Sequence, residues 1–587
     1  MDQRNLFLAI ALSLAIMIGF QYFMPPAVPP EAPQTATDTT PGAPSAPAAP
    51  GEPASVPTLP GAPAPAQVDE TATRAEAMAQ GERVTIRSPR LSGSIALKGA
   101  RFDDLILTEY HETIEPSSPN IELLQPVGVA EPYYAAFGWT TGDTAVKVPD
   151  ADSLWQSDSS ELAPGKPVTL TWDNGAGLTF EQTIELDDNY LFAVTQRVVN
   201  SSGGAAGVAP YGFISRSGTP PVLGFYILHE GLIGVFDGTL KEVDYSDLQD
   251  EKRIQQSATT GWIGITDKYW QVALIPDQKQ TVNSRFVYNQ ANGQDKYQTD
   301  VLYPVTSVAA GSESTVTSRL FAGAKLVKLL DRYEEQYNID RFDLSVDFGW
   351  FYFLTKPIFY ALHYFHQILG NFGLAILALT ILIKLVFFPL ANKSYKAMAK
   401  MRKLQPELVK LRERYPDDKQ RLNQEMMALY KREGANPMSG CLPILVQIPV
   451  FFALYKVMFV SIEMRHAPFY GWIQDLSAPD PTSVLNGFGL FPWDVPELGF
   501  LHVLNIGVWP LIMGCTMFLQ QRLNPQPTDP VQAKIFMFMP IMFTFLLGSF
   551  PAGLVIYWTW NNLLSIAQQM VIMRQQGVSI RDHKQKT

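Results

Sequence analysis

Long apolar runs constrain this chain more than any other feature. One occupies residues 6–24, and five more crowd the second half at 372–390, 442–461, 501–521, 535–550 and 554–573. About 20 consecutive apolar residues cross the hydrocarbon core of a bilayer as a helix, so the runs predict six transmembrane helices. A cleaved secretory signal would carry a shorter apolar core and a small-x-small site. The first run instead ends Tyr22-Phe23-Met24-Pro25, which favours an uncleaved anchor.

The segments between the runs differ in kind, and a mean hydropathy of +0.01 conceals the difference. Residues 25–81 are rich in Pro, Ala and Thr and too poor in large apolar residues to fold, so they read as a disordered tether. From 82 to 324 the pattern becomes period-two runs such as Val168-Thr169-Leu170-Thr171-Trp172, punctuated by Gly, Asn and Pro. That pattern predicts an all-β sandwich. His111 and His229 stand alone in it and read as surface or packed residues. Residues 325–371 return to helical spacing. From Gly349 to Ile368 an aromatic-rich amphipathic helix suits a membrane interface, with Pro357 near its start and Gly370-Asn371 ending it. Pro510 and Pro540 are expected to bend the fourth and fifth spans.

Lys and Arg bias orients the spans. The loop 391–440 carries twelve basic residues, among them Lys400, Arg402, Lys403, Arg412 and Arg414, and the tail 574–587 adds Arg574, Arg581, Lys584 and Lys586. Both belong in the cytoplasm. An even number of spans then places both termini there and the β-domain in the periplasm. The localisation is thus a multi-pass protein of the bacterial inner membrane.

With depth assigned in this way, polar residues gather on one side. Lys384, Gln447, Thr516, Gln520, Asn561, Asn562 and Ser565 fall in the cytoplasmic halves of four spans, whereas the outer halves are mostly apolar. Facing lipid, each would cost free energy, so a wet cavity open to the cytoplasm accounts for them together. Two readings fit Lys384. Its stem could snorkel along the ~12 Å of helix rise to Asn392, or its charge could serve as a docking point for a negative group. Lys456, nearer the outer end of its span, reads as snorkelling.

The basic loop reads as two amphipathic helices. Met398, Met401, Leu404, Leu408 and Leu411 share one face, Leu422, Met426 and Leu429 continue it, and Asp417 or Asp418 caps the second helix. It is a packed hairpin, a docking surface for ribosomal RNA, a targeting factor or an emerging chain, or both. The fifth span holds Met537, Met539 and Phe543, either lipid-facing or an adaptable surface for apolar helices. The net charge of −11 argues against general nucleic-acid binding. Two cysteines, Cys441 and Cys515, make no disulfide framework, and no zinc, phosphate-loop or nucleophile-elbow spacing occurs. No cofactor or metal is expected, nor an enzymatic activity.

Several motifs resemble a known family. They are Thr380 four residues before a cation, Met398-Ala399-Lys400-Met401-Arg402, Gln424-Glu425-Met426-Met427-Ala428-Leu429-Tyr430, Asn436-Pro437 before Gly440-Cys441-Leu442-Pro443, Gln447-Ile448-Pro449-Val450-Phe451, and Gly553-Leu554-Val555-Ile556-Tyr557. Together they resemble the YidC, oxidase-assembly and Albino insertase family, in its Gram-negative form with a long tether and β-domain. The resemblance implies an insertase core at 372–573. In it a groove cation, here Lys384, attracts acidic residues of a substrate protein while the substrate's apolar helix slides past the third and fifth spans. It also implies that Thr380, Phe451, Tyr557 and Trp558 are groove or contact positions, that the Sec translocon, nascent membrane proteins, ribosome or signal recognition machinery and the lipid bilayer are partners, and that the membrane potential drives insertion without a nucleotide. Three features depart from the pattern: lysine where many members carry arginine, Trp558 where tyrosine is common, and a loop at 479–500 longer than expected.

A solute transporter or channel is the alternative. It would carry repeats and polar groups through the midplane, and neither is visible. An intramembrane hydrolase would need a nucleophile–base pair, and none is present.

Overall fold

The computed structural model describes residues 73–224, 228–291, 293–349, 351–416, 418–434, 442–491, 493, 505–524 and 530–577. The expected anchor at 6–24 and nearly all of the tether lie outside these residues. The tether's last stretch holds a short helix, α1 (Arg74–Met78). A capping box closes it, with Thr73 Oγ1 accepting from Glu76 N–H and the Glu76 carboxylate accepting from Thr73 N–H. Arg74 pairs with the buried Asp104 and ties the helix to the β-domain.

The β-sandwich expected from the alternating runs is present. Its strands form an eleven-stranded and a nine-stranded sheet, antiparallel apart from one short parallel pairing of Arg83–Arg87 with Glu161–Leu162. Alternation decides which residues face inward. In Leu178–Leu186, Phe180, Gln182 and Ile184 are buried while Thr179, Glu181 and Thr183 turn outward. The next strand, Leu191–Asn200, pairs with it and with Glu313–Ala324. Two buried glutamines join the sheets, because Gln182 and Gln196 donate to the carbonyls of Phe137 and Gly138 at 2.8 Å each. A buried polar side chain is tolerated when it is bonded in this way. Phe102, Trp139, Trp155, Phe180 and Phe192 fill the space between. The short helix α2 (Tyr245–Glu251) covers one end. Both histidines are bonded locally, His111 to the Ser118 carbonyl and His229 to Asp244 and the Leu232 carbonyl.

The rest is helical: α3 (Val327–Tyr337), α4 (Tyr352–Leu369), α5 (Phe372–Val386), α6 (Phe388–Arg414), α7 (Lys419–Arg432), α8 (Leu442–Val460), α9 (Val508–Leu523), α10 (Pro530–Leu547) and α11 (Ala552–Gln575). Gly370 ends α4 with φ at +68°, and Asn371 caps α5 by accepting from Leu374 N–H. Pro357 lies well inside α4 rather than near its start. Pro510 occupies the first turn of α9, where a missing N–H leaves no bond unmade. It therefore has no reason to bend that helix, contrary to expectation. Phe353, Tyr364 and Ile368 project from α4, 74%, 60% and 62% exposed, the apolar face expected of an interfacial helix.

Among the described residues, no single helix is long and apolar enough to cross a membrane. The pair α5 and α6, bent by 69°, passes that test together.

The connector after α8 fastens the helical core to the β-domain. Glu463 accepts from Val327 N–H at the start of α3 at 3.2 Å. Burial pushes its carboxyl up to about 7. Arg465 donates to the His111 and Glu112 carbonyls and lies over the Trp270 ring. Lys456, expected to reach toward the outer interface, does not end without a partner. It pairs with Asp347 at 2.8 Å, an acidic partner distant in sequence. Gly373 allows the connector's Phe469 ring against α5, since a Cβ there would meet the ring at 1.9 Å.

Candidate functional site

Five of the polar residues singled out by depth, Lys384, Gln447, Gln520, Asn561 and Ser565, line a cavity of about 100 Å³. Lys384 reaches it from the last turn of α5, where orphan carbonyls favour a cation. Four residues earlier on the same face, Thr380 is buried and returns its hydroxyl to the Ile376 carbonyl. At Phe387 the chain leaves helical geometry, and Pro389 starts α6 on a new axis. The bend turns Ala391, Tyr395 and Met398 into the cavity wall.

Helix α11 supplies the opposite wall. Asn561, Ser565 and Gln569 recur every four residues and so share one face, and all three are buried. Lys384 Nζ donates to Ser565 Oγ at 2.6 Å, and Ser565 Oγ donates to the Asn561 carbonyl at 2.8 Å. Among the described residues, no carboxylate pairs with Lys384. Gln447 of α8 lines the cavity and donates to the Tyr557 hydroxyl at 3.4 Å, and Gln520 of α9 lines it too.

The structure also separates some residues that sequence depth had grouped. Thr516 and Asn562 do not line the cavity. Asn562 Nδ2 donates to Thr516 Oγ1 at 3.2 Å, joining α11 to α9 in a buried contact. Tyr557 is buried, whereas Trp558 is partly exposed and stacks on Phe451 with ring centroids 4.3 Å apart. Phe543 leans on the same indole at 6.3 Å. Met539 is partly exposed and Met537 is 51% exposed, on an α10 surface that also shows Phe538, Ile541 and Met542.

Tyr395 and Asn524 line the cavity unforeseen. Asn524 also accepts from Gln569 Nε2 at 3.1 Å. Only the Phe388-Pro389 step hinted that Tyr395 would fold back.

In the hairpin, Met398, Leu404, Leu408 and Leu429 are buried as expected. Asp418 caps α7 by accepting from Arg421 N–H, while Asp417 lies outside the described residues. Lys400, Lys403, Arg412 and Arg414 are exposed. Arg402 instead donates to the Leu523 carbonyl at the end of α9.

Comparison with known proteins agrees with this architecture. The family described as YidC periplasmic domain matches residues 83–361, and the family described as 60Kd inner membrane protein matches residues 364–579. Proteins named Membrane protein insertase YidC from Granulibacter bethesdensis and Methylorubrum extorquens are 51% and 50% identical to this chain. The alignments cover 98% and 99% of it and 98% and 96% of those proteins. The chain belongs to the YidC family of membrane protein insertases. The β-sandwich is thus a YidC periplasmic domain, and the cavity lies in the inner-membrane part. A solved YidC insertase with its first transmembrane domain resolved overlays with a TM-score of 0.35 and 16% identity, over 85% of this chain and 93% of its own.

Proposed function

We infer that this YidC-family chain inserts other proteins into the bacterial inner membrane through the cavity around Lys384. The observation that carries the reading is the cation itself: a lysine among helices, bonded to one serine hydroxyl, in a polar space with room for water. A positive charge with no carboxylate partner among the described residues attracts an acidic side chain of an incoming segment, and the attraction is stronger at this depth than in bulk water. Gln447, Gln520, Asn561 and Ser565 supply hydrogen-bonding surface for the segment's backbone. Thr516 and Asn562 join two of the helices that frame the cavity, and Thr380 is buried one turn before Lys384. The substrate's apolar helix then leaves for lipid along Phe451, Trp558 and Phe543 and the methionine-bearing surface of α10 with Met537 and Met539. Tyr557 acts from inside, through Gln447. The membrane potential and apolar partitioning drive the step.

In this reading the chain crosses the membrane six times with both termini in the cytoplasm. Lys400, Lys403, Arg412 and Arg414 face the ribosome or signal recognition machinery, Arg402 braces the hairpin against α9, and the Sec translocon is a partner for larger substrates. The test is depletion of the chain in cells followed by protease protection of newly made single-span and double-span proteins. Loss of their insertion is the expected result; normal insertion of all of them overturns the proposal.

A further inference from the structure

The segment between α8 and α9 that ran longer than expected has a surface unlike an ordinary loop. Leu490 is 85% exposed, Trp493 51%, Phe491 49%, and Val484 and Phe488 are exposed as well. The Phe491 and Trp493 rings stack 4.5 Å apart and nearly parallel, so they form one exposed aromatic unit. Phe488 is held at φ +61°, a conformation that bulky residues rarely adopt and that persists where the surroundings enforce it.

The segment also satisfies many of its own polar groups. Phe488 N–H bonds the Ser483 carbonyl, Phe491 N–H the Asn486 carbonyl and Leu490 N–H the Gly487 carbonyl. Gly489 N–H bonds the Asn486 side chain, and the Trp493 indole donates to the Leu485 carbonyl at 3.1 Å. Apolar side chains turned out over backbone groups that are bonded internally suit an interfacial position, where an unpaired N–H or C=O costs free energy.

Asp480 fixes where this face sits. It accepts from Thr482, from the Trp472 indole and from Trp509 N–H in the first turn of α9. The segment therefore emerges at the end of α9 nearest the β-domain, continuous with helices of the inner-membrane part. Exposed Tyr470 and Trp472 lie on the same connector, and aromatic residues favour the headgroup level.

We propose that residues 484–491 with Trp493 form a preformed wedge that inserts into the bilayer leaflet on the β-domain side, anchoring the start of α9 at the lipid interface. The occupant is lipid at the boundary of headgroups and acyl chains. This inference does not depend on the cavity reading.

The test uses the full chain in phosphatidylethanolamine–phosphatidylglycerol nanodiscs, with Cys441→Ser and Cys515→Ser. An environment-sensitive fluorophore is attached at Leu490→Cys, or for reference at Leu154→Cys, exposed on the β-domain. Leu490 has so little burial that the replacement leaves the fold intact, and retained insertion activity verifies this. The expected result is blue-shifted emission at 490, quenching by lipid-borne spin labels near the headgroup, and several-fold weaker iodide quenching than at 154. Equal emission and equal iodide quenching at both positions would overturn the proposal. So would protection at 490 that arises only when other membrane proteins are added, which would make the occupant a protein.

Discussion

The charge of Lys384 can be tested apart from its shape. A substrate carboxylate about 4 Å from the ammonium gains about 4 kcal/mol at an effective dielectric near 20, against about 1 kcal/mol in bulk water. Lys384→Gln forfeits that attraction, a loss of about 3 kcal/mol relative to water and roughly a hundredfold in docked population. Lys384→Glu adds a repulsion of similar size, while Lys384→Arg keeps the charge. The assay is insertion into proteoliposomes, read as the protease-protected fraction, for two substrates that differ only in whether the translocated segment carries aspartate or asparagine. Lys384→Arg should insert both. Lys384→Glu should fail on the acidic substrate and spare the neutral one. Equal insertion of the pair by Lys384→Glu would refute electrostatic docking and leave Lys384 a structural residue.

Other consequences follow from the packing. Glu463 is partly buried among its neighbours, and that desolvation moves its carboxyl from the ordinary 4.5 to about 7. Protonation therefore favours the folded state: the burdening charge is absent below 4.5, grows as pH rises, and is complete above 7, at a cost of about 3 kcal/mol. Glu463→Gln should raise thermal stability at pH 8 and leave it unchanged near pH 4.5; parallel melting profiles for variant and parent would contradict this. A Cβ at Gly514 would meet Thr544 Oγ1 at 2.1 Å, so Gly514→Val should destabilise the α9–α10 contact by about 1–3 kcal/mol, seen as a lowered Tm. Glutamate at Lys400, Lys403, Arg412 and Arg414 together should weaken co-sedimentation with ribosomes and flatten its salt dependence, with the fold unchanged by circular dichroism.

Much of the architecture was legible because periodicity reports local geometry. Period two marked the strands, and the helices fall close to the apolar runs. Lys384, Gln447, Gln520, Asn561 and Ser565 were found together because helix rise converts sequence position into depth. Depth does not convey which way a residue faces, so Thr516 and Asn562, at the right level, bond each other instead of lining the cavity. Nor does it convey what distant chain brings. Lys456 finds Asp347 across 109 positions, a pairing no local pattern contains. Tyr395 was missed because it lies beyond the bend at Phe387, where the chain leaves the first axis and returns toward the cavity. The long loop follows no helical or strand period in its apolar residues; in its described part, internal hydrogen bonds and the Asp480 contacts to Trp472 and Trp509 give it a shape.

The departure from arginine at Lys384 fits the site around it. A guanidinium offers a planar fork whose advantage depends on paired acceptors, whereas an ammonium is a compact point charge with rotatable donors. Among the described residues the lysine hydrogen-bonds a single hydroxyl, Ser565 Oγ, whose own proton is committed to the Asn561 carbonyl. One acceptor suits a point charge and would leave most of a fork unmatched. A cavity that held its cation through a bidentate carboxylate would fix geometry and neutralise the charge at once. Holding it through one serine fixes position and leaves its field available, as electrostatic docking of an acidic segment would require.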